Sequence, residues 1–288
     1  MNIAIASGKG GTGKTTVAVN LAAHYSRAGT HVNFVDCDVE EPNAQFFLRP
    51  ETTQTFTEHV PVPLVDEDLC LGESCRRCVE LCRFKALIFI AGSVMSFPEL
   101  CHGCGLCALA CPASAIGETV REIGVSSLGN AGNVTFTQGL LRIGEAMAPP
   151  LIKAVKSRAP KEGLTILDCP PGTSCPVVCS LQNADYSVLV TEPTPFGLHD
   201  LDLAVKLLRE LDIPFGVVLN RAGMGDDRVE AYLQKENIVL LGSLPHERAA
   251  AESYSNGGLL LDTIPGFASL FADIARAIEH ETGKEAQA

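Results

Sequence analysis

The stretch Gly8-Lys9-Gly10-Gly11-Thr12-Gly13-Lys14-Thr15-Thr16 decides the fold. The apolar run before it, Asn2 to Ser7, predicts a strand, and the periodic run after it, from about Lys14 to Ala28, predicts a helix that Gly29 ends. The stretch has the form G-x-x-x-x-G-K-T, whose glycines let backbone N–H groups turn towards phosphate oxygens at the positive end of a helix. The sequence therefore predicts a phosphate-binding loop between the first strand and the first helix.

Two side chains of this loop have a chemical task that follows from the pattern. Lys14 is placed to neutralise the β- and γ-phosphates, and the hydroxyl of Thr15 is placed to bind Mg²⁺. The alternative is a glycine-rich turn without a ligand, which the strand–loop–helix context disfavours. The nucleotide-binding residues expected in the loop are Gly8, Lys9, Gly10, Gly11, Thr12, Gly13, Lys14, Thr15 and Thr16.

Short β-rich runs alternate with helical patterns along the rest of the chain. The further strand-like runs are His31–Asp36, Leu164–Cys169, Tyr186–Thr191, Phe215–Asn220 and Ile238–Leu241. Helical periodicity over Leu198–Leu211 and Asp226–Glu236 separates them. This alternation predicts an α/β fold with a mostly parallel sheet covered by helices on both faces. Residues 284–288 are expected to fray.

The composition excludes several classes of function. The 288 residues are 46% hydrophobic and 19% charged, as in a folded protein with a buried core. The formal net charge of −12 argues against a nucleic-acid binder and against a basic membrane-binding surface. We find neither a membrane-spanning run nor a signal-peptide pattern. The protein is therefore expected to be cytoplasmic, with its cysteines mostly reduced.

The cysteines concentrate in one window, since eight of the twelve lie between Cys70 and Cys111. In a reducing compartment such a density indicates metal or redox chemistry. We expect an inserted unit at residues 65–118, with residues 1–64 and 119–288 as the two parts of the phosphate-binding domain. The proline- and acid-containing segment Val60–Asp68 is expected to be the leading linker, and the exit is expected near 113–118.

The second cysteine run has the spacing of bacterial ferredoxins. It reads Cys101-x2-Cys104-x2-Cys107-x3-Cys111-Pro112, with Gly103 and Gly105 keeping the loop small. Three closely spaced thiolates can cap one face of an iron–sulfur cube, while the fourth cysteine reaches a second cluster. Zinc sites generally use two separated pairs of ligands, so a [4Fe–4S] cluster is favoured over zinc or free thiols.

The first run, Cys70-x4-Cys75-x2-Cys78-x3-Cys82, departs from this spacing in two ways. Four residues separate its first pair of cysteines, and Arg83 stands where proline is usual. One alternative is that this run is structural or labile and that a single cluster survives. The crossed ferredoxin pattern predicts two [4Fe–4S] clusters. One would be held by Cys70, Cys75, Cys78 and Cys111, and the other by Cys82, Cys101, Cys104 and Cys107.

Acidic residues end two of the predicted strands. The second strand runs into Asp36-Cys37-Asp38, and the strand 164–167 runs into Asp168. The carboxyl ends of parallel strands meet at the edge where open α/β sheets bind ligands. In phosphate-binding folds, the acidic residue that ends an apolar strand typically holds Mg²⁺ through water, and we expect this role of Asp168. The alternative is that these acids only cap local turns or helices.

The extra lysine, Lys9, gives the loop the form K-G-G-x-G-K-T-T. This form resembles the deviant phosphate loop of the MinD/ParA superfamily (CobQ/CobB/MinD/ParA nucleotide-binding proteins), which also contains the nitrogenase iron protein. The segments Asp36–Asn43, Ile143–Glu145, Asp168–Pro176 and Thr191–Gly197 support the resemblance, which covers nearly the whole chain. It implies a P-loop ATPase with an inserted, small α+β ferredoxin-like domain that holds two [4Fe–4S] clusters.

The resemblance implies roles for individual residues. In that family the early lysine reaches the nucleotide of a partner subunit, so Lys9 would make ATP binding and dimerisation one event. Asp38 would position or activate the attacking water, which makes the implied catalytic set Lys9, Lys14, Asp38 and Asp168. Asp36 would support Mg²⁺ together with Thr15 and Asp168.

Two further groups of residues are singled out. Asn220, followed by Arg221, resembles the adenine-recognising residue of the family, although asparagine is also common in turns after strands. Cys175 and Cys179 would share one helix face and could offer four thiolates across a dimer axis. The alternative for this pair is two small cysteines packed inside the protein.

The resemblance implies ATP hydrolysis coupled to iron–sulfur redox chemistry or to metal-centre assembly, with ATP, Mg²⁺ and two [4Fe–4S] clusters as cofactors. The first hypothesis is nucleotide-gated electron transfer through the clusters to a partner metalloprotein. The second is an ATP-dependent carrier or scaffold for metal clusters, and the third is a redox-sensing positional switch of the ParA type. The expected partners are a second copy or a paralogous ATPase, and a redox or metal-centre protein, with neither nucleic acid nor membrane.

Overall fold

Strands make up the centre of the structure, a computed structural model that describes residues 1–283. The expectation for residues 284–288 lies outside the described residues. In the described part of the chain the eleven strands are β1 (Asn2–Ala6), β2 (Val32–Asp36), β3 (Glu51–Val65), β4 (Leu87–Ile90), β5 (Ser93–Ser96), β6 (Ile116–Ala131), β7 (Val134–Leu141), β8 (Leu164–Asp168), β9 (Tyr186–Thr191), β10 (Phe215–Ala222) and β11 (Leu240–Pro245).

Helices occupy most of the connections between the strands. Over residues 1–283 they are α1 (Lys14–Arg27), α2 (Gln45–Leu48), α3 (Arg77–Leu81), α4 (Leu106–Ala110), α5 (Ala148–Arg158), α6 (Cys175–Leu181), α7 (Pro195–Glu210), α8 (Arg228–Lys235), α9 (Arg248–Ser255), α10 (Leu260–Thr263) and α11 (Phe267–Glu281). Short 3₁₀ turns lie at Gly72–Ser74 and Pro98–Leu100. Within this described range, every helix is too short or too polar to cross a bilayer.

Nine strands pair in the order β11-β10-β9-β1-β8-β2-β7-β6-β3. The pairs from β11 through to β7 are parallel. The strands β1, β2, β8 and β9 are buried along almost their whole length, as in a sheet covered on both faces. The predicted α/β fold with a mostly parallel sheet is therefore confirmed.

The register of the central strands brings functional positions together. Asp36 at the end of β2 is the pairing partner of Asp168 at the end of β8, and Asp168 also pairs with Ile5 of β1. Because these strands are parallel, their carboxyl ends share one edge of the sheet. The loops that follow β1, β2 and β8 therefore begin side by side.

The segment Val60–Asp68, interpreted from sequence as a linker, is strand as far as Val65, so that interpretation is wrong for most of its length. Pro61 and Pro63 fit within β3 because β3 is the last strand in the sheet order, and an edge strand can present residues without a donor N–H. The expected exit near 113–118 overlaps the start of β6 at Ile116.

The chain divides into two compact units. Of the described residues, the first comprises 1–55, 126–140 and 152–283, and the second comprises 56–125 and 141–151. The first holds the core around Phe34, Phe136 and Phe271, and Phe34 and Phe136 stack with their ring centroids 5.6 Å apart. The second holds the antiparallel β4–β5 hairpin and a small core that includes Cys78, Leu87, Val94 and Ile116.

Replacing Phe136 by alanine tests the core of the first unit. The side chain is 1% exposed and stacks on Phe34, so its loss leaves a cavity that we expect to lower the free energy of unfolding by about 3–5 kcal/mol. Urea unfolding followed by circular dichroism measures the effect. Phe196→Ala is the matched control, since Phe196 is 77% exposed and should change stability by less than about 0.5 kcal/mol. Equal losses in the two variants would contradict the assignment of the core.

Candidate functional site

The phosphate loop is closed at its helical end by a glycine that no other residue could replace without strain. Gly13 caps α1 with a φ of 94°, and a Cβ atom there would lie 2.2 Å from Nδ2 of Asn220. That same nitrogen donates a hydrogen bond to the carbonyl oxygen of Thr12 at 2.7 Å. Asn220 therefore braces the loop from the end of β10, in addition to the base-recognising role that the sequence suggested.

Lys14 of the loop is buried against the carboxylate that ends β8. Its Nζ donates to Oδ1 of Asp168 at 2.6 Å, and the two side chains are 7% and 0% exposed. Burial alone would lower the pKa of Lys14, but the attraction and hydrogen bond of Asp168, helped by Asp38 and Asp36, outweigh burial and raise the pKa. Lys14 is therefore a fixed cation at the bottom of the loop.

The structure places the three acidic residues of the prediction around this cation with different tasks. Both oxygens of Asp36 accept backbone N–H groups of its own loop, from Asp38 at 3.1 Å and Ala44 at 3.2 Å. Asp168 keeps one oxygen, Oδ2, buried without a hydrogen-bond partner. Nζ of Lys14 also lies 3.5 Å from the hydroxyl of Thr15, so Lys14 contacts both expected magnesium ligands. An unpartnered buried carboxylate oxygen suits Mg²⁺, which generally takes one or two protein ligands together with phosphate and water. Asp168 thus fits the expected magnesium role better than Asp36, which shapes the loop.

The pKa values of the acids reflect their crowding. Burial, with the repulsion of Asp168, raises the pKa of Asp36 to about 8. Burial also raises the pKa of Asp38, to about 6, although Lys14 opposes the change. Asp38 is only partly buried and faces the cavity beside the loop. A carboxylate with a raised pKa that faces a cavity, as Asp38 does, is suited to accept a proton there.

A cavity of about 500 Å³ lies over the phosphate loop in the first unit. This volume is typical of sites for small molecules. Loop residues and Asp38 line one part of the cavity, and the remaining lining includes Asn220, Arg221, Met224, Pro245 and Tyr254. The polar part matches phosphates and a metal ion, while the less polar part could hold a base.

Lys9 has a partner that the sequence did not reveal. Its Nζ lies 2.6 Å from Oε1 of Glu192, and Nη1 of Arg221 lies 2.7 Å from the other oxygen, Oε2. Burial would raise the pKa of Glu192, but the bonds to Lys9 and Arg221 hold it below its ordinary value. Glu192 belongs to the segment Thr191–Gly197 that resembles the family, and only its place at the end of β9 could have indicated a role.

Four cysteines from the two runs border a cavity of about 160 Å³ in the second unit. They are Cys82, Cys101, Cys104 and Cys107, the set expected to share one cluster, and Cys78 also borders this cavity. The backbone N–H groups of Ala86 and Gly103 lie 3.3 and 3.4 Å from the sulfur atoms of Cys82 and Cys101. Such N–H···S contacts favour thiolates.

The other four cysteines border a smaller cavity, of about 20 Å³, in the same unit. They are Cys70, Cys75, Cys78 and Cys111, the second expected set. The N–H group of Ala115 lies 3.2 Å from the sulfur of Cys111. Among the described residues, no three His, Cys, Asp or Glu side chains converge as they would around a single metal ion. Four cysteines that border one cavity suit a group of several atoms.

The two cysteine runs have the same local structure, offset by 29 residues. Cys78 and Cys107 are the second residues of α3 and α4, and the residues that precede these helices, Arg76 and Gly105, both have positive φ, at 52° and 71°. The N–H···S contacts of Ala86 and Ala115 obey the same offset. Only the first cysteine breaks it, because the 3₁₀ turn Gly72–Ser74 lengthens the first loop. The unusual x4 spacing is therefore a local insertion in a repeated motif.

The remaining cysteines lie in the first unit. Cys175 is exposed, whereas Cys179 is buried on the same helix, α6. Only one thiol of this pair therefore lies at the surface. Four thiolates shared between two subunits would need both cysteines of each subunit at the surface. Cys37 and Cys169 are fully buried, and burial raises the pKa of Cys169 to about 12 and that of Cys37 well above its ordinary value. Both are small side chains packed inside the first unit, and a raised pKa keeps such thiols unreactive.

The chain matches one family of domains over most of its length. The family model of the CobQ/CobB/MinD/ParA nucleotide binding domain matches residues 3–260. An uncharacterized protein of Methanocaldococcus jannaschii is 30% identical over 89% of this chain and 90% of its own length. A protein of Pyrococcus horikoshii named iron-sulfur cluster carrier protein is 25% identical over 88% of this chain and 77% of its own.

Solved structures match the fold. The septum site-determining protein MinD of Pyrococcus horikoshii, in complex with Mg-ADP, superposes with a TM-score of 0.60 and 20% identity, covering 100% of this chain and 99% of that one. The cell division ATPase MinD of Pyrococcus furiosus gives a TM-score of 0.59 with 23% identity, over 97% and 98% of the two chains. These similarities show the architecture around the phosphate loop.

Replacing Asp168 by asparagine tests the buried ion pair. The change keeps the shape of the side chain but leaves Lys14 without its strongest partner, so the nucleotide-free protein should lose about 3 kcal/mol of unfolding free energy. Because Asp36 and Asp38 still attract Lys14, the expected loss of unfolding free energy is at the low end of the range for a broken buried ion pair. Urea unfolding measures it. The control is Asp262→Asn, which removes an exposed pair with Arg27 and should cost less than about 1 kcal/mol. Comparable losses would show that Lys14 does not depend on Asp168.

Proposed function

The chain belongs to the CobQ/CobB/MinD/ParA family and is a P-loop ATPase of the MinD/ParA type, and we propose that it uses MgATP hydrolysis to control electron transfer from two [4Fe–4S] clusters to a partner metalloprotein. The observation that carries this proposal is the pair of cysteine-bordered cavities in the same chain as the phosphate loop. We further propose that the second unit is a ferredoxin-like insert. Like the nitrogenase iron protein, the chain would then combine a nucleotide-binding ATPase with iron–sulfur clusters.

Each residue of the phosphate site has a task in this proposal. Lys14 would hold the β- and γ-phosphates, and Thr15 with Oδ2 of Asp168 would hold Mg²⁺. Asp38, which faces the cavity from the loop after β2, would orient the attacking water. Asn220, already bonded to the loop through Thr12, would recognise the base. Lys9 would reach the nucleotide of a second subunit, so that ATP brings two copies, or one copy and a paralogue, together.

The cysteines fit the clusters by number, spacing and surroundings. The lining of each cavity includes one complete set of four cysteines drawn from both runs, as the crossed ferredoxin pattern requires, and Cys78 borders both cavities. Gly103 and Gly105 adopt φ values of 64° and 71°, which keeps the loop around Cys104 tight. Backbone N–H groups aimed at sulfur would stabilise the thiolate form. When bound, the clusters would supply one-electron redox chemistry.

A second candidate function is supported by the curated relatives. Those from Pyrococcus horikoshii and Aquifex aeolicus are both named iron-sulfur cluster carrier protein, at 25% identity to this chain. On this alternative, ATP would drive the release of a cluster to an acceptor protein. We rank it second because a complete set of four cysteines around each cavity indicates resident clusters, whereas a carrier needs a site from which its cargo can leave.

Counting iron tests whether the cysteines hold two clusters. Anaerobically purified protein should contain about eight iron atoms per chain. Cys75→Ser and Cys104→Ser should each lose about half of the iron, since each removes a ligand from a different set, and electron paramagnetic resonance should show one remaining signal. The control is Cys175→Ser, an exposed cysteine of the first unit, which should keep all of the iron. About four irons or fewer in the unaltered protein would reject the two-cluster assignment.

Following electrons and iron separately distinguishes the two candidate functions. Reduced protein, mixed with an oxidised viologen dye and an apo-ferredoxin acceptor, should reduce the dye faster with MgATP than with a non-hydrolysable analogue. Labelled iron should stay with the chain, and Asp38→Asn should abolish the ATP effect because the attacking water loses its base. If the dye is reduced at equal rates and labelled iron reaches the acceptor with each round of hydrolysis, the carrier function is correct instead.

A further inference from the structure

The lysine that distinguishes this phosphate loop is bound inside its own chain. Lys9 forms an ion pair of 2.6 Å with Glu192, and its side chain is only 29% exposed while that of Glu192 is 11% exposed. A partly buried ion pair of this length is stronger than an exposed one, because water screens it less. Lys9 is therefore not free to reach outward while this contact persists.

The parallel sheet explains why these two residues meet. β1 lies beside β9 with Ala6 opposite Leu189, and β9 lies beside β10 with Leu219 opposite Thr191. The residues that follow these strands therefore emerge next to one another. Lys9 comes shortly after β1, Glu192 directly after β9, and Arg221 near the end of β10.

Glu192 is the fixed member of the contact. The hydroxyl of Thr194 lies 3.3 Å from its Oε1 and also accepts the N–H of Gly197 at 2.9 Å. A Cβ atom at Gly197 would lie 2.3 Å from the carbonyl oxygen of Glu192, so the first turn of α7 packs directly on this residue. Lys9, on a glycine-rich loop and with a long side chain, is the member that can move.

We propose that Glu192 is a latch that stores Lys9 within its own subunit and thereby sets the nucleotide concentration at which two copies associate. This inference rests on the proposed function, in which Lys9 contacts the nucleotide of a partner. Phosphate oxygens offer Lys9 competing acceptors. The apparent affinity of association then falls in proportion to the fraction of chains in which Lys9 remains latched.

Arg221 makes the opening of the latch reversible. It bonds the second oxygen of Glu192 at 2.7 Å, so the carboxylate keeps a cationic partner after Lys9 leaves. Arg221 also adopts a φ of 55°, a left-handed conformation that is uncommon for residues other than glycine and that aims its side chain at this position. Glu192 is a positioning residue in this scheme, since it acts through Lys9.

The test compares Glu192→Gln with the unaltered protein in sedimentation velocity, titrated with MgATP in the presence of a hydrolysis-blocking Asp38→Asn background. Removing the charge of Glu192 should lower the MgATP concentration for half-maximal association about tenfold, as expected if about a tenth of the chains are unlatched in the unaltered protein. Adding Lys9→Ala to Glu192→Gln should cancel the gain. Asp202→Asn, which removes a carboxylate from α7 that pairs with Lys206, is the matched control and should change nothing.

The outcomes separate the latch from the function it rests on. Stronger association in Glu192→Gln cannot come from damage to the fold. Glu192→Asp keeps the charge on a shorter side chain, so its MgATP concentration for half-maximal association should lie between those of the unaltered protein and Glu192→Gln. Unchanged or weakened association in Glu192→Gln, with Lys9→Ala still preventing association, overturns the latch alone. If Lys9→Ala associates as well as the unaltered protein, the proposed role of Lys9 in a dimer is wrong and the latch falls with it.

Discussion

The register of parallel strands is the constraint on which the first unit depends. Because β1, β2 and β8 run side by side in the same direction, the phosphate loop, the loop of Asp36 and the carboxylate of Asp168 begin at one edge of the sheet. That edge buries Lys14 against Asp168, an ion pair that only this alignment can form. A shift of one residue in either pairing would leave a buried ammonium group without its carboxylate, which is strongly unfavourable.

The same edge distributes negative charge among residues with separate tasks. Both carboxylate oxygens of Asp36 accept hydrogen bonds from the backbone of its own loop. One oxygen of Asp168 has no hydrogen-bond partner, and Asp38 faces the cavity. Glu192 adds a further carboxylate that pairs with Lys9 and Arg221. The two loop lysines thus have different partners: Lys14 is fixed at the bottom of the site by Asp168, and Lys9 is held at its rim by Glu192.

The second unit is organised by repetition. Two copies of a loop, a short helix and an N–H···S contact follow one another at an offset of 29 residues, and cysteines from both copies border each cavity. The repeat explains why the first run could depart from the usual spacing without losing its other three positions. The longer loop of the first copy is accommodated by the 3₁₀ turn Gly72–Ser74.

The sequence by itself determined the phosphate loop, the alternation of strands and helices and the grouping of the cysteines, because glycine, apolar periodicity and cysteine spacing act over a few neighbouring residues. It mistook Val60–Val65 for a linker, since prolines mark an edge strand only when the sheet order is known. The partnership of Lys9 with Glu192, the different tasks of Asp36 and Asp168 and the burial of Cys179 were decided by the tertiary structure alone. These properties depend on distances between segments that are far apart in the chain, and local patterns carry no information about such distances.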